Sequence, residues 1–67
     1  MFRAELDAID IRILKELQAD GRMTNVELAA RAGISAPPCL RRVRKLEEAG
    51  IIEGYTAMLN APALRSE

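Results

Sequence analysis

Residues 24–46 read T-N-V-E-L-A-A-R-A-G-I-S-A-P-P-C-L-R-R-V-R-K-L, and no other stretch limits so strongly what the chain can fold into. Thr24 and Glu27 have the spacing of a capping box, in which each side chain satisfies the other residue's free amide at a helix start. Gly33 enters the left-handed backbone region without a steric penalty, so a helix can end there and the chain can reverse. Ser35 then opens a second helix that carries Arg41, Arg42, Arg44 and Lys45 and stops at Gly50. Two helices joined by a tight glycine turn, the second of them basic, is the sequence form of a helix-turn-helix.

The flanking residues complete a small domain around this pair. Ile9, Ile13, Leu14 and Leu17 recur at helical spacing and predict a first helix over about residues 7–20, with Asp7 as N-cap, Asp10 facing the positive helix end and Gly21 as the stop. Leu6 with Ile11, and Met23 with Leu28, stand where hydrophobic staples form. The second helix, over about residues 25–32, turns Leu28, Ala29 and Ala32 inward, and Ile34 faces the core beside Cys39. In the third helix, over about residues 36–49, Cys39, Val43 and Leu46 share one face. Pro37, Pro38, Arg41, Arg44 and Lys45 lie opposite, with Leu40 and Arg42 at the flanks. Residues 51–59 are rich in β-formers and predict a single strand or a small two-stranded wing. Residues 1–5 read as a loose arm and 60–67 as a linker. The expected fold is mainly α: a three-helix helix-turn-helix domain, winged-helix-like, followed by one or two short β-strands.

Composition narrows the function. The 67 residues make one domain at most, with no apolar run of membrane-spanning length and no secretory leader, so a cytoplasmic protein associated with the nucleoid is expected. One cysteine and no histidine leave no disulfide framework, no familiar zinc site and no histidine base; neither metal nor cofactor is expected. Glu47 and Glu48 are sequence neighbours on a helix and diverge, Tyr55 has no base beside it, and no phosphate-binding glycine loop is present, so the chain does not read as an enzyme. Net charge is zero, yet residues 21–46 carry six bases against one acid, and the remainder four bases against nine acids. Such polarity steers a polyanion even when the sum vanishes.

A helix about 10–12 Å across fits the major groove, and arginine pairs bidentately with guanine O6 and N7. Arg41, central on the exposed face and near the helix start, is the candidate base reader, with Ser35, Pro37 and Pro38 beside it. Arg44 and Lys45, further along, suit phosphates. Thr24 and Asn25 open the preceding helix, whose free amides suit a phosphate as well. Arg42 either reaches phosphate or braces the core edge. Ser35 looks like an N-cap, but the positions whose amides it would bind are Pro37 and Pro38, which have none; its hydroxyl either meets DNA or bonds within the turn. The rival reading is a protein-interaction or dimerisation module without base readout, since the same framework supports both.

The run from L-D-A-I-D-I-R-I-L-K-E-L through T-N-V-E-L-A-A-R-A-G-I-S, P-C-L-R-R-V-R-K-L and on to G-Y-T-A-M-L-N closely resembles the N-terminal part of the Lrp/AsnC, or feast/famine, family of bacterial and archaeal transcription regulators. The resemblance covers about residues 6–64; Ile11 stands where the family usually has a polar residue, and Ala36 where proline is common. It implies sequence-specific DNA binding in transcriptional regulation. It also implies a second, α/β domain that binds small effectors such as amino acids and builds dimers and higher assemblies. On that basis the chain reads as an isolated or truncated DNA-binding domain. The strand after the third helix would take part in dimer contacts, here through Ile52, Tyr55, Ala57 and Leu59.

Overall fold

The computed structural model describes residues 5–64. It contains three helices, α1 over Ala8–Ala19, α2 over Asn25–Ala32 and α3 over Ala36–Glu48, then a 3-10 turn at Ala61–Ala63. Of the expected arm at residues 1–5 only Glu5 is described, and residues 65–67 of the expected linker lie outside the described residues.

Both of the first two helices open with a reciprocal capping box. Asp7 accepts the Asp10 N–H at 2.8 Å, and the Asp7 N–H donates to Asp10 Oδ2 at 3.2 Å, so two aspartates make the box that glutamate usually completes. Thr24 accepts from the Glu27 N–H, and Glu27 Oε1 accepts the Thr24 N–H, both at 3.1 Å.

Two helices end on left-handed glycines, Gly33 at φ 76° and Gly50 at φ 79°. The Gly33 and Ile34 amides donate back to Ala30 and Ala29, and those of Gly50 and Ile51 to Glu47 and Leu46. Each pair closes a Schellman motif and satisfies carbonyls that the helix end leaves free. Gly21, expected to act likewise, does not. Helix α1 ends at Asp20 in extended backbone, and Asp20 Oδ1 accepts the Arg22 N–H at 3.0 Å. A side-chain turn of this kind needs no left-handed residue.

Helix α2 packs against both α1 and α3. Among the described residues the buried ones are Ile13, Leu28, Ala29, Cys39 and Leu46, one or two from each helix. Ile9, Leu14, Leu17, Met23, Ala32, Ile34 and Val43 pack around them, as the periodicity of the sequence requires. Burial pushes the Cys39 thiol up from its ordinary value, in keeping with a small core hydrophobe. Leu6 and Ile11 remain 37% and 44% exposed, so that staple closes little surface.

The expected strands are not formed among the described residues. A strand exists by its ladder to a neighbour, and among the described residues no second strand pairs with residues 51–59. Ile51 and Ile52 are used otherwise. Their amides both donate to the Leu46 carbonyl, at 3.0 and 3.2 Å, and their side chains pack on the core. No described helix is long and apolar enough to cross a membrane.

Candidate nucleic-acid interface

The outer face of α3 presents Pro37, Arg41, Arg44 and Lys45 to solvent, with Pro38 half-buried behind them. Among the described residues no carboxylate lies within 4.0 Å of Arg41, Arg44 or Lys45. Three cations on adjacent turns without an internal partner make a positive strip at the rim of a helix. Ser35 is exposed at its start and makes no side-chain cap bond. The cause is covalent: prolines at the second and third helical positions have no N–H to give it.

The other bases of the stretch are engaged. Arg31 meets Glu16 at 3.5 Å, and Glu16 also holds Arg12 at 2.9 Å. Arg42, expected at a phosphate or at the core edge, takes the second place. Its Nη1 donates to both oxygens of Asp7, at 2.9 and 2.8 Å, and to Asp10 Oδ1 at 2.9 Å. The guanidinium therefore ties the start of α1 to the middle of α3. The Asp10 amide and then Arg42 hold the Asp7 carboxyl below its ordinary 3.8, while Asp7 first and Asp10 second push Arg42 higher. The tie also sets one positive charge against the two acids next to the positive strip. An open groove of ≈ 740 Å³ runs between the two helices and has Glu5, Asp7 and Asp10 as well as Arg41, Arg44 and Lys45 on its walls.

Thr24 and Asn25 sit at the start of α2, beside the start of α3. The Thr24 hydroxyl is occupied by Glu27. The Asn25 side chain points inward: Nδ2 donates to the Ala36 carbonyl at 2.8 Å, and Oδ1 is buried without a hydrogen-bond partner. The Thr24 N–H is also taken, by Glu27 Oε1 at 3.1 Å, so what this pair can offer a phosphate is the Asn25 backbone N–H at the helix start. Sequence reasoning missed the Asn25 bond, since nothing in the spacing links it to a carbonyl across the turn. For Arg42 the signal was its place at the flank of the core face.

Past α3, Ile52 is half-buried against the chain's own core. The Tyr55 hydroxyl donates to Glu47 Oε2 at 2.8 Å, and its ring edge lies over Gly21. Partial burial and then the Glu47 carboxylate push this phenol up to about 12. Ala57 and Leu59 are exposed. Of the four residues expected at a dimer contact, two are thus held within the chain.

Three helices with a basic, outward third helix after a tight turn define a helix-turn-helix domain. The model of the winged helix-turn-helix DNA-binding family matches residues 6–53. The chain is 79% identical over 62 residues to the leucine-responsive regulatory protein of Rhizobium meliloti, covering 92% of this chain and 40% of that protein. Among solved structures it is similar to a transcriptional regulator of Neisseria meningitidis in complex with L-Met, at TM-score 0.86 and 51% identity, over 88% of this chain and 38% of that one. An AsnC family transcriptional regulator from Agrobacterium tumefaciens gives TM-score 0.81 and 38% identity, over 85% of this chain and 37% of that one. The chain belongs to the winged helix-turn-helix DNA-binding family, and the proteins it is similar to are leucine-responsive and AsnC family transcription regulators. It spans about 40% of the length of the curated relative it matches.

Proposed function

We propose that α3 enters the major groove of duplex DNA and reads a specific sequence there as part of a transcriptional regulator. The observation that carries this is the outer face of α3, where Arg41, Arg44 and Lys45 stand exposed with no described carboxylate in reach. Arg41, nearest the helix start, reads a base edge, and Ser35, Pro37 and Pro38 line the same end. Arg44 and Lys45, a turn further along, bind phosphates, joined by the backbone N–H of Asn25, since Glu27 already holds that of Thr24. Arg42 is removed from the phosphate set because Asp7 and Asp10 already hold it. Its part is to offset the negative charge of Asp7 and Asp10 beside the DNA.

The whole protein acts as a homodimer in the cytoplasm, on the nucleoid, and carries no enzymatic step. Dimer contact falls to residues 56–59, with exposed Ala57, Met58 and Leu59, since Ile52 and Tyr55 are engaged in their own domain. The effector of the whole protein is an amino acid, held outside this chain. Support comes from the name leucine-responsive and from the L-Met bound in the Neisseria structure.

The test is binding to a duplex selected from random sequences, and to random duplex, as salt rises. Arg41→Ala is expected to cost about 1–3 kcal/mol on the selected duplex and to relax preference at one base pair. Lys45→Ala should weaken both duplexes alike and lower the salt slope by about one. Equal weakening of both duplexes by both substitutions would remove the division of roles. No binding to either duplex would remove DNA recognition altogether and leave a protein-interaction module.

A further inference from the structure

The start of α3 is the end that meets base edges in the reading above, on which this inference rests, yet its local chemistry holds it poorly. Ser35 makes no cap bond, and Pro37 and Pro38 have no amide to donate or be bound. The side-chain hydrogen bond that does reach this turn comes from the neighbouring helix: Asn25 Nδ2 to the Ala36 carbonyl, 2.8 Å. The bond joins the first residue of α2 to the first residue of α3. It therefore fixes one DNA-facing helix start against the other, across the turn.

The amide orientation follows from chemistry, because an Asn25 oxygen in that place would face the Ala36 oxygen. The cost of the arrangement also says something. Oδ1 is left buried with no donor among the described residues. A buried acceptor without a partner loses about as much as one neutral hydrogen bond gains, so the pair contributes little net stability. What remains is geometry. We infer that Asn25 is a positioning residue for sequence readout, setting the angle at which the first turn of α3 meets the bases, and not a phosphate ligand through its side chain. An exposed side chain at the same place would contact the DNA itself; this one acts through the Ala36 carbonyl.

The test uses the 67-residue chain on the selected and the random duplex at several salt concentrations. Asn25→Ala is expected to weaken the selected duplex by about three- to ten-fold, the size of one neutral hydrogen bond, with random duplex and salt slope unchanged. In an Arg41→Ala background the same substitution should cost clearly less, because both act on one readout. Asn25→Ser, whose side chain is too short to bridge the turn and which a helix start tolerates, should behave as Asn25→Ala does, and stands in for it should that variant fail to fold. Parallel loss on both duplexes with a slope lower by about one would make Asn25 a phosphate contact and overturn the inference, as would full additivity with Arg41→Ala or unchanged binding. Failure of the DNA-binding reading itself appears separately, in a wild-type chain that binds neither duplex or fails to distinguish them.

Discussion

Ser35 occupies an N-cap position at which no capping is possible, and that changes what its hydroxyl is for. A serine cap is ordinarily worth about 1 kcal/mol, through a bond to the amide two or three residues on. Here those residues are Pro37 and Pro38, and the structure has no such bond. Ser35→Ala is therefore expected to lower stability by much less than about 1 kcal/mol in denaturant titration, while weakening binding to the selected duplex. A loss above about 1 kcal/mol with binding intact would make Ser35 an ordinary structural cap in another register. This residue was legible from the sequence because a missing proline N–H is a covalent fact. Arg42 and Asn25 were not, because their partners stand 35 and 11 residues away and only the packed helices bring them together. Charge and spacing placed Arg42 at the edge of the core face. Only the arrival of the α1 start beside that edge decides for Asp7 and Asp10 over a phosphate.

The helices themselves were legible because each carries its own start and stop signals: Asp7 with Asp10, Thr24 with Glu27, Gly33 and Gly50. Residues 51–59 carry β propensity but pair with no strand among the described residues, and propensity does not make a ladder. What local signals leave out is how elements are tied, and the tie of α1 to α3 has a pH signature. The Asp7 carboxyl is held below its ordinary 3.8 in the fold, by the Asp10 amide first and Arg42 second. A carboxyl with a lowered folded pKa stabilises the fold above its unfolded value, and that contribution disappears as pH falls through the folded one. Acid titration of the melting temperature should therefore show an extra decline beginning near pH 3.8 and continuing below it. Asp7→Asn keeps an N-cap acceptor and loses the charge, so it should melt lower at neutral pH and lack that decline. An identical acid limb in both proteins would show that the tie does not contribute to stability.

At the scale of the whole molecule, five deeply buried side chains make a small core, and a domain of this size has only a few kcal/mol in reserve. Ligands that bind the fold are then easy to see in its melting. Duplex DNA at about a hundred-fold above its Kd adds about 2.7 kcal/mol, which in so short a chain corresponds to roughly 10–20 °C in Tm. An amino acid should behave differently. The groove of ≈ 740 Å³ beside α3 is open and walled by acids and bases together, so an aliphatic side chain placed there would bury little apolar surface. Two apolar recesses adjoin Tyr55, one of ≈ 180 Å³ on the Met23 side and one of ≈ 450 Å³ on the Ile51 and Ile52 side, and both are open to solvent. Small-molecule sites ordinarily enclose the ligand and bury most of its surface, which open clefts do not. Leucine and methionine at millimolar concentration are accordingly expected to leave the Tm of this chain unchanged, while the selected duplex raises it. A saturable rise with either amino acid would place an effector site within these residues and overturn the proposal that the response belongs to another part of the whole protein.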